Sequence, residues 1–515
     1  MQYVGDDVKG EATKKEERQG GACPLGSLVL RMGSVPTSLR TACLAKGWRE
    51  YDQNTCRVDQ WNLWWKNGRF KPTEYKTPHE LQRMNHFPKS SIITKKDSML
   101  RALRKAQKVY GSVYNFFPES FILPNEYTKF MKRYSEQEKP ELWICKPDGS
   151  SRGRGIFLIK DPFSDLKYDQ QYIVQHYIQR PLLVGGYKMD LRIYVLVRSF
   201  KPLRAYIYRD GLARFGTEKY EANVQDISNQ YSHLTNASIN KHSKTFSAEK
   251  DVIGAGCKWT FGDLKGWFVE NGHDWENMWG RTRNLISLTL LTAVKTVPIR
   301  PWCFELFGFD VMLDEKLEPS LIEVNCSPAL GIDEPADKTV KIPLLDQMIE
   351  LLDIKPFAPE NVNKVLKEKM KLGRNKNRNR KRDGSSLKRR REKKPAAAAV
   401  QNASEPTIVD FNTLVVPGTN FEKLFPFNKE SEELSAQLEF AADDMQMQKI
   451  ERSIAKILRT EQRLYKQQRK TQRQQQQQAG TASAAAAERR EEKNNMQLKL
   501  DTAKQIDTFL NGSSS

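Results

Sequence analysis

Asp310, Glu323 and Asn325 stand in two short apolar runs, Phe307-Gly308-Phe309-Asp310 and Leu321-Ile322-Glu323-Val324-Asn325. Residues two apart in a strand project from the same face, so Glu323 and Asn325 can reach one point together. The segment between the runs, Asp314-Glu315-Lys316-Leu317-Glu318-Pro319, is turn-like, and the pattern predicts a hairpin. Two carboxylates and an amide offer the hard oxygens that Mg²⁺ takes alongside water and phosphate. The competing reading is an edge strand with its polar residues in water. The flanking Phe, Leu, Ile and Val favour the metal site.

A second group of residues suits phosphate. Lys146 ends a strand-like run (Leu142-Trp143-Ile144-Cys145) and is followed by Pro147-Asp148-Gly149-Ser150-Ser151-Arg152-Gly153-Arg154-Gly155. Glycines let backbone N–H groups approach an anion, and Arg152 and Arg154 add charge. The spacing is not that of a P-loop, so a phosphate-covering hairpin is expected. Lys188-Met189-Asp190-Leu191-Arg192 opens another strand with three same-side ionisable groups, which are costly to bury unless they are paired or bound to a ligand. Tyr172–Ile178, with Gln175, reads as a strand whose backbone could meet an adenine edge, or as an ordinary core strand. Arg214 and Lys258, taken singly, read as solvated surface cations. His233-Leu234-Thr235-Asn236-Ala237-Ser238 could cap a helix or hold phosphates. These segments fall in one continuous block that carries no Ser-His-Asp pattern. Together they suit a ligase in which ATP activates a carboxylate, with catalysis by positioning and charge neutralisation.

The elements that must position these residues are mixed. Strand-like runs at 142–146, 156–159, 172–177, 191–197 and 203–208 are separated by Gly- or Pro-containing breaks. Helical periodicity marks 97–110, with Asp97 as a candidate cap, and the regions 263–269 and 279–297. A polar helix is expected from Ser431 to about Lys470, preceded by an apolar island, 421–427. The seven cysteines are scattered without a CxxC pair, which predicts reduced thiols in a cytosolic protein, and the best apolar run (285–294) is too short for a membrane span. Net charge is +21, and residues 364–394 hold 16 Lys or Arg against 3 acidic residues, a surplus of 13. Such a field attracts an anionic partner, whether nucleic acid, membrane surface or acidic protein.

The matching stretches identify a resemblance. Trp143-Ile144-Cys145-Lys146-Pro147, Ser151-Arg152-Gly153-Arg154-Gly155-Ile156, Asp190-Leu191-Arg192-Ile193-Tyr194-Val195-Leu196-Val197, His233-Leu234-Thr235-Asn236, Phe304-Glu305-Leu306-Phe307-Gly308-Phe309-Asp310 and the Glu323 strand resemble the tubulin tyrosine ligase-like family, most closely its polyglutamylases. Asn85-His86-Phe87-Pro88 and Phe121-Ile122-Leu123-Pro124 add to the likeness, which covers roughly residues 45–355. The resemblance implies an α+β, ATP-grasp fold with an N-terminal α/β domain and a largely disordered basic and helical tail. The boundaries expected are an arm at 1–36, a catalytic region at 37–357 (its N-terminal domain to about 135), a basic linker at 358–400 and a tail at 401–515.

By motif, the resemblance assigns ATP contacts to Lys146, Arg152, Gly153, Gln175, His176, Tyr177, Ile178, Lys188, Asp190, Thr235 and Asn236. It assigns glutamate to Arg214, Ser238 and Lys258, and Mg²⁺ to Asp310, Glu323 and Asn325. Arg192, with Lys188, would be catalytic, close to the acceptor or the acyl phosphate. The implied reaction joins free L-glutamate to glutamate side chains in acidic tubulin tails, on microtubules of the cytoskeleton and of a cilium or basal body. A monomer is expected, with no membrane partner. Alternatives stay open: a microtubule-binding member with weak catalysis, or a ligase that uses glycine or tyrosine. His176 stands where the family commonly has Lys, and Ala237 where many members carry Tyr. The basic run would meet microtubules, or serve as a nuclear signal or a solvated linker; it lacks interleaved aromatics for stacking on nucleic-acid bases.

Overall fold

The computed structural model describes residues 26–357, apart from 34–35, 57, 77, 79, 140, 150–152, 168–169 and 222–228, and residues 411–471, apart from 442, 462, 465–466 and 468–470. Arg152, the basic run and the segments after 471 therefore lie outside the described residues.

Three sheets build the molecule. The first holds β1 (Val29–Met32), β2 (Arg49–Glu50), β3 (Leu63–Trp65) and β4 (Arg83–Met84), parallel throughout, in the order β2-β1-β3-β4. Just past β4, His86 is buried with its Nδ1 2.9 Å from Glu305. The Glu305 carboxylate also accepts from the Phe87 amide (3.0 Å) and the Ser90 hydroxyl (3.2 Å). That buried knot ties the first sheet to the strand carrying Asp310.

The second sheet is antiparallel: β5 (Ser120–Leu123), β6 (Trp143–Pro147), β7 (Phe157–Ile159) and β8 (Tyr172–His176), ordered β5-β8-β6-β7. Period-2 alternation sorts its side chains. Trp143 and Cys145 pack with Phe130 of the helix Tyr127–Ser135, whereas Ile144 belongs to a separate cluster with Leu158, Tyr177 and Leu234.

The third sheet has seven strands: β9 (Leu183–Val184), β10 (Tyr187–Phe200), β11 (Leu203–Phe215), β12 (Lys258–Thr260), β13 (Glu305–Leu313), β14 (Pro319–Asn325) and β15 (Phe421–Phe425). Its main path is β12-β11-β10-β13-β14, with β15 paired to β11 and β9 to β10. Both faces are covered. Leu191, Ile193, Val195 and Val197 join the main core with the helix Trp275–Val294, whereas Tyr194 and Leu196 pack with Leu30, Leu63 and the helix Pro335–Leu352. A strand buried on both faces reads as a continuous apolar run, and residues 193–197 of β10 do.

Three elements differ from the expectation. Asp97 is not a cap: the helix is Lys96–Tyr110 with Lys95 at the N-cap and no side-chain cap bond, so Asp97 sits in its first turn. The expected long helix after 431 is broken: Lys429–Phe440 ends at Ala441, whose extended backbone (φ −60, ψ 115) stops it, and helix resumes at 444. The apolar island is strand β15, with Phe421, Leu424, Phe425 and Phe427 all buried.

Candidate active site

Lys146 and Gln175 enter from the second sheet, and Lys188, Asp190, Asp310 and Glu323 from the third. They line one cavity between the two sheets, together with Gly153, Arg154, His176, Tyr177, Ile178, Thr235 and Asn236. Ten of the eleven residues expected around ATP are thus brought together; the eleventh, Arg152, lies outside the described residues. A second, broader cavity is lined by Arg192, Arg214, Asn236, Ser238, Lys258, Glu323, Asn325, Asp337 and Lys341. Lys96, Asn236 and Glu323 line both cavities, so the two meet beside Glu323.

Register across the third sheet sets the charged row. Arg214 pairs with Asp190 across β11 and β10, Arg192 with Asp310 across β10 and β13, and Asp310 with Glu323 across β13 and β14. Arg192 donates from Nε to Asp310 Oδ1 (2.6 Å) and from Nη2 to Oδ2 (3.2 Å). Arg214 bridges both acids, bidentate on Asp190 and 2.9 Å from Asp310 Oδ2. Burial works to raise the Asp310 carboxyl, but the paired guanidiniums outweigh it and hold the group well below the usual carboxylate range. Gly308 lets this row close, because a Cβ there would lie 2.9 Å from Pro328 Cβ and 3.2 Å from Arg192 Cδ.

Asn325 Nδ2 stands 3.3 Å from Glu323 Oε1 and 3.4 Å from Asp310 Oδ2. The two acids and the amide therefore converge on one point. Lys96 Nζ reaches Glu323 Oε2 at 3.4 Å.

Two buried lysines face the first cavity. Lys146 Nζ donates to Gln175 Oε1 (2.6 Å), and Gln175 Nε2 to the Ser120 hydroxyl (3.0 Å). Lys188 Nζ donates to the Tyr177 hydroxyl (2.7 Å) and the His233 carbonyl (2.9 Å). Burial pushes Lys146 down to about 8 and Lys188 down to about 7, against the pull of Glu323 and Asp190 respectively. Gly153, at φ +74, packs against the Thr-Asn turn: a Cβ there would lie 2.5 Å from Ile239 Cδ1 and 3.0 Å from Asn236 Oδ1.

Arg214 and Lys258 are not solvated. Lys258 Nζ lies 2.7 Å from Asp337 and 3.0 Å from Glu334, at the N-terminus of the helix Pro335–Leu352. Lys341, one turn further, shares Asp337 at 2.7 Å and donates to the Gly331 carbonyl at 2.7 Å. Sequence reasoning missed Lys96, Lys341, Glu334 and Asp337. Only the Asp337–Lys341 spacing, i to i+4 on a helix, gave a local signal.

A sequence model of the tubulin-tyrosine ligase family matches residues 74–408. Human "Probable tubulin polyglutamylase TTLL2" is 41% identical over 348 residues, which is 65% of this chain and 57% of that protein. Its mouse counterpart is 40% identical over 367 residues, 69% of this chain and 67% of the relative. Human "Tubulin polyglutamylase TTLL5" is 37% identical over 325 residues, 61% of this chain and 25% of that protein. The chain thus spans little more than half of the first relative's length and about a quarter of the last one's.

Proposed function

The chain belongs to the tubulin-tyrosine ligase family, and from that premise we propose that it is an ATP-dependent carboxylate–amine ligase that adds L-glutamate to glutamate side chains in the acidic C-terminal tails of tubulin. The observation that carries this reading is the meeting of two cavities beside Glu323, one lined by buried lysines and the other by Arg192, Arg214, Lys258 and Lys341. Two antiparallel sheets with the first cavity between them support the ATP-grasp assignment.

The nucleotide fits the first cavity. Gln175–Ile178 offer backbone to the adenine, and Lys146 and Lys188 meet the phosphates. Asp310, Glu323 and Asn325 would hold Mg²⁺: their side chains converge, and the Asn325 amide can present its oxygen by a half-turn about its last torsion. When bound, the ion supplies charge neutralisation on the β- and γ-phosphoryl groups. Arg192 orients the acceptor carboxylate at the junction. An oxygen of that carboxylate takes the γ-phosphoryl group, ADP leaves, and Arg192 stabilises the acyl phosphate. The amine of free glutamate then attacks the acyl carbon, loses a proton, and expels phosphate as the isopeptide bond forms.

The free glutamate sits in the second cavity. Among the described residues, Lys258 and Lys341 each spend two donors on protein acceptors, which leaves one N–H apiece for a substrate carboxylate. Ser238 lines the same space. The protein acts as a monomer on microtubules, in the cytoskeleton and at a cilium or basal body. Tandem mass spectrometry of tubulin tails, after reaction with equal glutamate, glycine and tyrosine, tests the assignment. Glutamyl branches on tail glutamates are expected. Glycine or tyrosine incorporation overturns the choice of amino acid, and no addition of any kind overturns the ligase.

A further inference from the structure

We propose that Tyr177 is a positioning residue, whose hydroxyl together with the His233 carbonyl fixes the Lys188 ammonium so that its remaining N–H faces the phosphates of the nucleotide. The inference rests on the nucleotide reading above and gives Tyr177 a role beyond its place in the run that meets the adenine.

An ammonium has three donors. Among the described residues, Lys188 spends one on Tyr177 and one on His233, and the third is left beside the cavity that Lys188 lines. The acceptors are themselves held. The Tyr177 oxygen accepts from Lys188 and lies 2.9 Å from His233 Nδ1, in a hydrogen bond whose direction follows the imidazole tautomer. The cation also lies 4.2 Å from the centre of the Tyr177 ring and 5.7 Å from that of Tyr220. Tyr220 meets His233 edge to face at 5.5 Å and is anchored by donating to the Gln179 carbonyl at 2.9 Å.

A lysine in a packed apolar position would be expensive, and aromatic faces with two acceptors offset that cost. A group serving only to fill space needs no such cage. The arrangement pre-orients one cationic donor before ligand arrives, which spares the ordering cost on binding.

Tyr177→Phe keeps the ring and removes the hydroxyl alone. The test is a double-mutant cycle with Lys188→Met, reading ATP affinity by calorimetry, with melting temperature and the KM for glutamate as controls. Y177F is expected to weaken ATP binding by about ten-fold, the scale of one hydrogen bond to a charged group, to lower the melting temperature modestly because a buried ammonium loses one acceptor, and to leave glutamate KM in place. In the K188M background the same change should do nothing more. Additive losses, an unchanged Y177F, or a Y177F that weakens everything alongside a large drop in melting temperature each overturn the proposal. If the wild-type protein binds no ATP, the nucleotide reading falls and this inference with it; wild-type binding with additive losses removes this inference alone.

Discussion

Lys146 and Lys188 reach one cavity from two different sheets, and burial disfavours the charge on both. Burial pushes Lys146 down to about 8 and Lys188 down to about 7, far below a lysine in water. Phosphate favours the charged form, so ATP binding at pH 8 should draw a proton from solution, and affinity should fall as pH rises from 7 to about 9. Calorimetry in two buffers of different ionisation heat measures that uptake. Arg214 carries a different prediction. It bridges Asp190 and Asp310, so Arg214→Ala strands the buried Asp190 carboxylate, while Asp310 keeps Arg192, and should lower stability by about 3–5 kcal/mol in urea unfolding, besides lowering activity. An Arg214 devoted only to substrate would leave stability unchanged. Residue types and spacing made the acids, the lysines and the Gly-containing loop legible in the sequence. Pairing was not legible, because Lys96–Glu323 and Lys258–Asp337 join positions far apart in the chain, and nothing local announces them.

At the scale of elements, the apolar runs 142–146, 156–159 and 172–177 fall on β6, β7 and β8 to within a residue or so. The runs 191–197 and 203–208 fell short of β10 and β11, which extend to Tyr187–Phe200 and Leu203–Phe215. The missed end of β11 contains Arg214, a charged residue that interrupts an apolar pattern yet is buried because it pairs with Asp190, whereas Lys188 and Asp190 already read as the opening of a strand. β15 was misleading for the opposite reason. Its five residues, in a polar context, gave no hint that they pair with β11. Glu422 on β15 is buried and accepts from Trp279 Nε1 (3.0 Å) and from Arg283, which fastens the strand to the helix Trp275–Val294. This strand lies beyond the residues matched by the family model, yet it completes the sheet that carries Asp190 and Arg192. Phe421→Ala should therefore lower global stability by about 3–5 kcal/mol, as for a core aromatic. A surface strand would show less than half a kilocalorie, about the limit for exposed substitutions.

At the scale of the molecule, more than half of the +21 charge falls in residues 364–394, between two described regions that both contribute to the packed body. Tubulin tails are acidic, so deleting 364–394 should weaken cosedimentation with microtubules, most at low salt, and leave ATP affinity unchanged. An equal loss of ATP binding would mean that the segment serves the fold instead. Mixed strand and helix patterns were readable before residue 357, while the fold-class expectation came from the family resemblance; the return of the chain as β15 depends on long-range pairing that periodicity does not encode. The central claim, that Asp310, Glu323 and Asn325 serve a ligase, is tested most directly by intact-mass measurement of tubulin incubated with ATP, Mg²⁺ and glutamate. Wild-type protein should produce a ladder spaced by one glutamyl residue, and Glu323→Gln, with an unchanged melting temperature, should produce none. A ladder made equally well by Glu323→Gln, or the lack of one with wild type, would contradict the account.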